Sequence, residues 1–215
     1  MKKAVITSKG FSNQSITSAF LNLLTLETDQ VRVAIITTAA VELKEKHPRV
    51  IQAKEQFHNM GILHVDVIDV EKEDPVLLAQ YHVVYLTGGN PFYLLSHMKK
   101  SGADKVVKRI ANEGVILIGV SAGSLVLGPH LKIVHHLTPQ LMQNIDLSSL
   151  YALKIVNFPM MPHYDREDLF PGSRSIEKRI IEYETKSGDD VFRLKDDDAL
   201  VVTNEEIKLI SLPNQ

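Results

Sequence analysis

The sequence predicts an α/β fold: a mostly parallel sheet, helices on both of its faces and an antiparallel edge. Two observations predict it. Short apolar, β-branched runs alternate with longer segments whose apolar residues recur at helical spacing, the pattern of strand–helix–strand crossovers. Near the C-terminus two short apolar runs lie close together and read as a hairpin.

The elements follow in order. Residues 4–8 (AVITS) form a first strand, and 12–26 a helix with Ile16, Phe20, Leu23 and Leu24 on one stripe. Residues 31–40 (VRVAIITTAA) are apolar almost throughout, as in a parallel strand buried on both faces. A charged helix is expected over 41–60, stopped at Gly61. Strands follow at 64–70, 82–86 and 115–120, with a short helix opened by Asp74-Pro75 and helices over 91–99 and 104–112. The pattern weakens over 129–158, where loops and short strands are expected. A helix over 175–186 precedes the hairpin of 199–202 and 207–210, joined across Asn204-Glu205-Glu206. No repeat or linker-like shift interrupts the chain, so residues 1–215 are expected to form one domain.

Composition narrows the function classes. Lys plus Arg is 24 and Asp plus Glu 26, a formal net charge of -2, which supports neither nucleic acid nor an anionic membrane as partner. There are no cysteines, which excludes disulfides, thiolate metal sites and a cysteine nucleophile. The opening MKKAVITSKGF has too short an apolar run for a signal peptide, and no stretch approaches the roughly 20 apolar residues of a membrane helix. A soluble cytoplasmic protein is expected, monomer or homodimer, needing no cofactor.

Gly119-Val120-Ser121-Ala122-Gly123 fits the G-x-S-x-G pattern of a nucleophile elbow. It follows a predicted strand and precedes an apolar segment, Leu125 to Leu127, suited to begin a helix. Small residues two positions either side of the serine avoid neighbouring strands, and the Ala122 amide is left to donate to an oxyanion. Gly88-Gly89-Asn90 also ends a predicted strand, where open α/β sheets bind ligands. Its bare N–H groups suit a second donor, although a tight turn accounts for the glycines equally well. A serine needs a base. His163 ends an apolar stretch and is the first candidate; His130, His135 and His136 are the others. The adjacent histidines have no carboxylate at ligand spacing, so no metal site is expected. Asp146, Asp165, Asp168 and the run Asp196-Asp197-Asp198 all qualify by type as the acid orienting the imidazole.

Gly88-Gly89-Asn90, Gly119-Val120-Ser121-Ala122-Gly123-Ser124 and Pro162-His163-Tyr164, in this order and spacing, resemble the peptidase E family of serine peptidases. That family includes α-aspartyl dipeptidase and, more distantly, cyanophycinase. The resemblance implies a three-layer α/β/α sandwich, flavodoxin-like and related to class I glutamine amidotransferases, which carry cysteine at the elbow. It implies Ser121 as nucleophile, His163 as base, and oxyanion donors at Gly88 or Gly89 and Ala122, with Asn90 in the same binding loop. Two departures stand out. The position about fifteen residues past the serine, an Asp in α-aspartyl dipeptidase, is His136 here. The segment Arg193-Leu194-Lys195-Asp196-Asp197-Asp198-Ala199-Leu200 instead aligns with the acid-bearing segment of other branches, which points to Asp196. Arg174 and Arg179 lie near the position of a substrate-binding arginine, without a gap-free match to it. A guanidinium there would hold a substrate carboxylate, and Arg174 is the expected residue. The function expected is hydrolysis of short peptides, Asp-X dipeptides among them, through an acyl-enzyme. An esterase of another substrate class and a non-catalytic ligand-binding member are the alternatives.

Overall fold

The computed structural model describes residues 2–204 and 206–211. In chain order its strands are β1 (Lys3–Thr7), β2 (Arg32–Ile36), β3 (His64–Ile68), β4 (Val83–Leu86), β5 (Ile116–Val120), β6 (Met160–Pro162), β7 (Phe192–Leu194), β8 (Ala199–Thr203) and β9 (Glu206–Ile210). Seven form one sheet in the order β3-β2-β4-β5-β1-β8-β9. The first five strands of that order pair in parallel. The hairpin β8–β9 adds the antiparallel edge by pairing β8 with β1. Glu205, in the turn of that hairpin, lies outside the described residues.

The period-2 alternation of strand side chains sends neighbours into two separate cores. Ile6, Ala34, Ile36, Val84, Leu86 and Leu117 face one side. There they meet Phe92 and Leu95 of α3 (Pro91–Ser101) and Val107 and Ile110 of α4 (Ala103–Asn112). Val5, Val33, Ile35, Val83, Tyr85 and Ile118 face the other side. There they meet Ile16 and Phe20 of α1 (Gln14–Leu21) and Val50 and Phe57 of α2 (Pro48–Asn59). Both faces of the central strands are therefore apolar, as parallel crossovers require. Phe11, Phe20, Phe57 and Tyr85 interlock edge-to-face or tilted, with centroids 5.3–6.3 Å apart. Each such pair adds about 0.5–1.5 kcal/mol beyond its buried area.

Two expectations change, and one strand pair joins the elements read from the sequence. The helix over 41–60 begins only at Pro48, because proline disfavours helical backbone in the residue before it and is best placed in a first turn. The stretch before it holds a short 3-10 turn, Lys44–Lys46. Within 129–158 a helix forms, α6 (Lys132–Leu137), where loops and short strands were expected. Its buried Ile133, Val134 and Leu137 make one helical face, too short to register as a period. The parallel pair β6–β7 has three residues per strand and escapes pattern reading for the same reason. No helix among the described residues is long and apolar enough to cross a membrane.

This topology gathers chain ends. β4, β5 and β1 are adjacent, with Leu86 opposite Gly119 and Thr7 opposite Val120. Ser8, Gly88 and Ser121 therefore leave the sheet at the same carboxyl edge.

Candidate active site

Ser121 sits between β5 and α5 (Ala122–Leu127) at φ 51, ψ −106. A non-glycine residue there costs about 1–3 kcal/mol and persists only where its surroundings dictate it. They do so here. The Ser121 N–H donates to the Thr7 carbonyl at 2.9 Å, and its carbonyl accepts from the Leu125 N–H at 3.1 Å. The Ser124 hydroxyl donates to Thr7 O at 2.7 Å and accepts from Thr7 N–H at 3.2 Å, which pins the start of α5 to β1. The flanking glycines allow this crowding. A Cβ on Gly119 would lie 2.7 Å from Ser124 Cα, and one on Gly123 would collide with the Leu86 carbonyl.

His163 follows β6 at φ 58. Its N–H donates to Ser8 Oγ at 3.0 Å, and that hydroxyl donates to Leu194 O at 3.0 Å. The next residue, Tyr164, donates its N–H to the same carbonyl. The ring is thus delivered by the β6–β7 pair and braced by the end of β1. Nε2 lies 3.0 Å from Ser121 Oγ, and Nδ1 lies 2.5 Å from Asp196 Oδ1. Both side chains are buried, His163 at 7% and Asp196 at 6% exposure, so little water competes for these contacts.

Asp196 is held from several sides. Its N–H donates to Asp165 Oδ1 at 2.9 Å, and its Oδ2 accepts from Arg166 at 3.1 Å. Arg166 is itself fixed by a two-pronged pair with Asp168, at 2.8 and 2.7 Å. Burial pushes the Asp196 carboxyl up, but His163 and then Arg166 outweigh it, and the carboxyl lies below its ordinary value. Asp196 therefore keeps its charge further into acid than an isolated aspartate does. Arg166→Gln removes a cation from this cluster. The Asp196 carboxyl then protonates at higher pH, and His163 loses its anionic partner sooner. The acid limb of kcat/KM is expected to move to higher pH. A pH–rate profile checks this, and an unmoved acid limb contradicts it.

Two cavities meet at this point. The larger, about 190 Å³, exposes Ser121, Ala122, Gly89 and His163 between apolar walls. The smaller, about 90 Å³, shares His163 and Arg49 with it and is lined also by Gly88 and Tyr85. No hydrogen bond engages the N–H groups of Gly88, Gly89 or Ala122 among the described residues. A Cβ on Gly89, at φ 141, would run into the Ala39 carbonyl, so only glycine fits this loop.

The remaining candidates fall elsewhere. The Asn90 side chain caps α3, accepting from the N–H groups of Phe92 and Tyr93, and its Nδ2 donates to Leu141 O at 2.7 Å, while the Asn90 backbone N–H donates to Ala39 O. Its place is structural, shaping the glycine loop. Arg174 is not brought to the site. It pairs with Glu182 of α7 (Ile176–Ser187) at 2.8 Å and lines neither cavity. Arg179 donates to the Phe170 and Pro171 carbonyls and so braces that loop. Asp146 is a surface partner of Lys100. His130 pairs with Asp189, His135 packs on Phe92 and His136 on Tyr183, and none of the three lines the cavity at Ser121. Sequence reasoning passed over Arg49, which lines both cavities, and Arg166, three residues past His163.

The model of peptidase family S51 matches residues 5–210. The chain belongs to peptidase family S51. An uncharacterised peptidase of Listeria monocytogenes is 26% identical over 204 residues, covering 91% of this chain and 96% of that protein. Peptidase E of Streptomyces coelicolor is 32% identical over 111 residues, 51% of this chain and 43% of the relative. A solved structure of a Listeria monocytogenes EGD-e protein proposed to be a peptidase E has a TM-score of 0.79 at 24% identity, over 99% of this chain and 100% of that one. S51 membership makes the chain a peptidase of the serine type. The three-layer architecture with its mostly parallel sheet is the fold of that neighbour.

Proposed function

We propose that this chain hydrolyses short peptides through an acyl-enzyme on Ser121. One observation carries the reading: Ser121 Oγ, the His163 ring and the Asp196 carboxylate stand in one line, at 3.0 and 2.5 Å. In this reading Oγ attacks the scissile carbonyl while Nε2 takes its proton. Asp196 holds Nδ1–H and stabilises the imidazolium. The Ala122 and Gly89 amides, facing the same cavity as Ser121, receive the oxyanion, each worth about 3 kcal/mol. The imidazolium then protonates the leaving amine as the C–N bond breaks. Water, deprotonated by the same ring, releases the acid product.

The size of the site supports short substrates. At about 190 Å³ the cavity at Ser121 is smaller than the roughly 300–1,000 Å³ typical of ligand sites. Leu141, Leu169 and Phe170 wall it in. A dipeptide with N-terminal aspartate is the substrate the family resemblance favours. The test is kcat/KM across di-, tri- and hexapeptides, with an aryl ester in parallel. Dipeptides are expected to exceed hexapeptides by at least about tenfold, a loss of roughly 1.4 kcal/mol for a chain that does not fit. Equal rates on hexapeptides, or turnover of the ester alone, would contradict the reading.

A further inference from the structure

Two cavities share His163 and Arg49, and the larger also exposes Ser121. The larger is apolar apart from the reacting groups and Arg49. The smaller also holds hydroxyl and amide side chains, among them Ser8, Gln52 and Tyr85, together with two cations, Lys9 and Arg49. No Asp or Glu lines either cavity among the described residues.

Arg49 stands out among the arginines. Arg32, Arg109, Arg166, Arg174 and Arg193 pair with carboxylates, and Arg179 donates to backbone carbonyls. The Arg49 guanidinium has neither kind of partner among the described residues; only its backbone N–H is engaged, by His47. The Lys9 ammonium is likewise without an ion pair among the described residues. Position follows from the start of α2, one residue past Pro48, at the carboxyl edge of the sheet. The Arg49 NH1 group lies 3.6 Å from where a Gly88 Cβ would stand, and that point is 3.3 Å from Ser121 Cβ. Burial pushes the Tyr85 phenol far above its usual titration range, so the smaller cavity also presents a neutral hydroxyl.

We propose that Arg49, assisted by Lys9, is the specificity-determining residue of this site and binds a carboxylate of the substrate in the smaller cavity. The proposal rests on the reading of Ser121 as the point of peptide cleavage. A guanidinium with no internal anion, beside the reacting serine, is suited to two-pronged recognition of a carboxylate. Peptides offer that group from two sources, an acidic side chain or a free C-terminus. The apolar cavity then takes the neighbouring residue.

Binding measured without turnover tests this. In an S121A background, calorimetry compares two peptide pairs: Asp-Leu with Asn-Leu, and Ala-Leu with Ala-Leu amide. Adding Arg49→Gln is expected to weaken the carboxylate-bearing member of one pair about 10–100-fold more than its neutral twin. An effect confined to the first pair assigns the side-chain carboxylate, and one confined to the second assigns the C-terminus. Arg49→Lys should retain part of the discrimination, which a merely structural role would not produce. Equal weakening within both pairs, or no binding of any carboxylate peptide to S121A, overturns the proposal. If discrimination depends on Arg49 while wild-type protein cleaves none of the four, the peptidase reading of Ser121 fails and the subsite stands.

Discussion

Ser121→Ala is expected to lower kcat on a dipeptide substrate by roughly 10⁴-fold or more, as removal of the nucleophile from a triad does. No neighbour can stand in. The Ser124 hydroxyl is committed to Thr7 and the Ser8 hydroxyl to Leu194 O and the His163 N–H. Alanine keeps the backbone at position 121 as demanding as serine does, so the fold should change in stability by less than about 1 kcal/mol. Single-turnover kinetics with a thermal melt in parallel check both halves. A variant that folds and retains more than about one hundredth of the wild-type rate contradicts the assignment.

Asp196→Asn is expected to cost about 10⁴ in kcat with the geometry intact. The carboxylate accepts the Nδ1 proton, which leaves Nε2 free to accept from Ser121. An amide nitrogen in the same place donates toward Nδ1 and drives the proton to Nε2, where it blocks the serine. The loss should therefore appear in kcat more than in KM, because Asp196 touches the base and not the substrate. Asp165, which the residue type alone made an equal candidate, instead accepts the Asp196 N–H. Its removal should cost only about 1 kcal/mol, the worth of one hydrogen bond. Comparing kcat for Asp196→Asn and Asp165→Asn separates the two carboxylates, and equal losses would contradict the arrangement.

Much of this is legible in the sequence itself. The strands that became β4 and β5 are apolar on both faces, so they had to be central and covered on both sides. The small residues around Ser121 announced a turn too tight for larger ones, and the Leu86 carbonyl at Gly123 is the physical reason. The rest depended on contacts that no local pattern encodes. His163 is delivered by three residues of β6 paired with three of β7, too few for periodicity to register. Asp196, Asp197 and Asp198 are alike in composition, and only the chain path after β7 turns the first of them inward. Arg174 was placed by proximity in sequence to a family position, but it pairs with Glu182. Arg49 was hidden inside a helix drawn too long; with Pro48 as the true start, it sits at the sheet edge, beside the serine.

The central claim is that Ser121 is an activated nucleophile. Incubation with a fluorophosphonate, followed by mass mapping of the labelled peptide, tests it directly. One adduct per chain at Ser121, abolished in S121A and strongly slowed in Asp196→Asn, is the predicted result. An unlabelled Ser121, or labelling that proceeds equally fast in the Asp196→Asn variant, would contradict it.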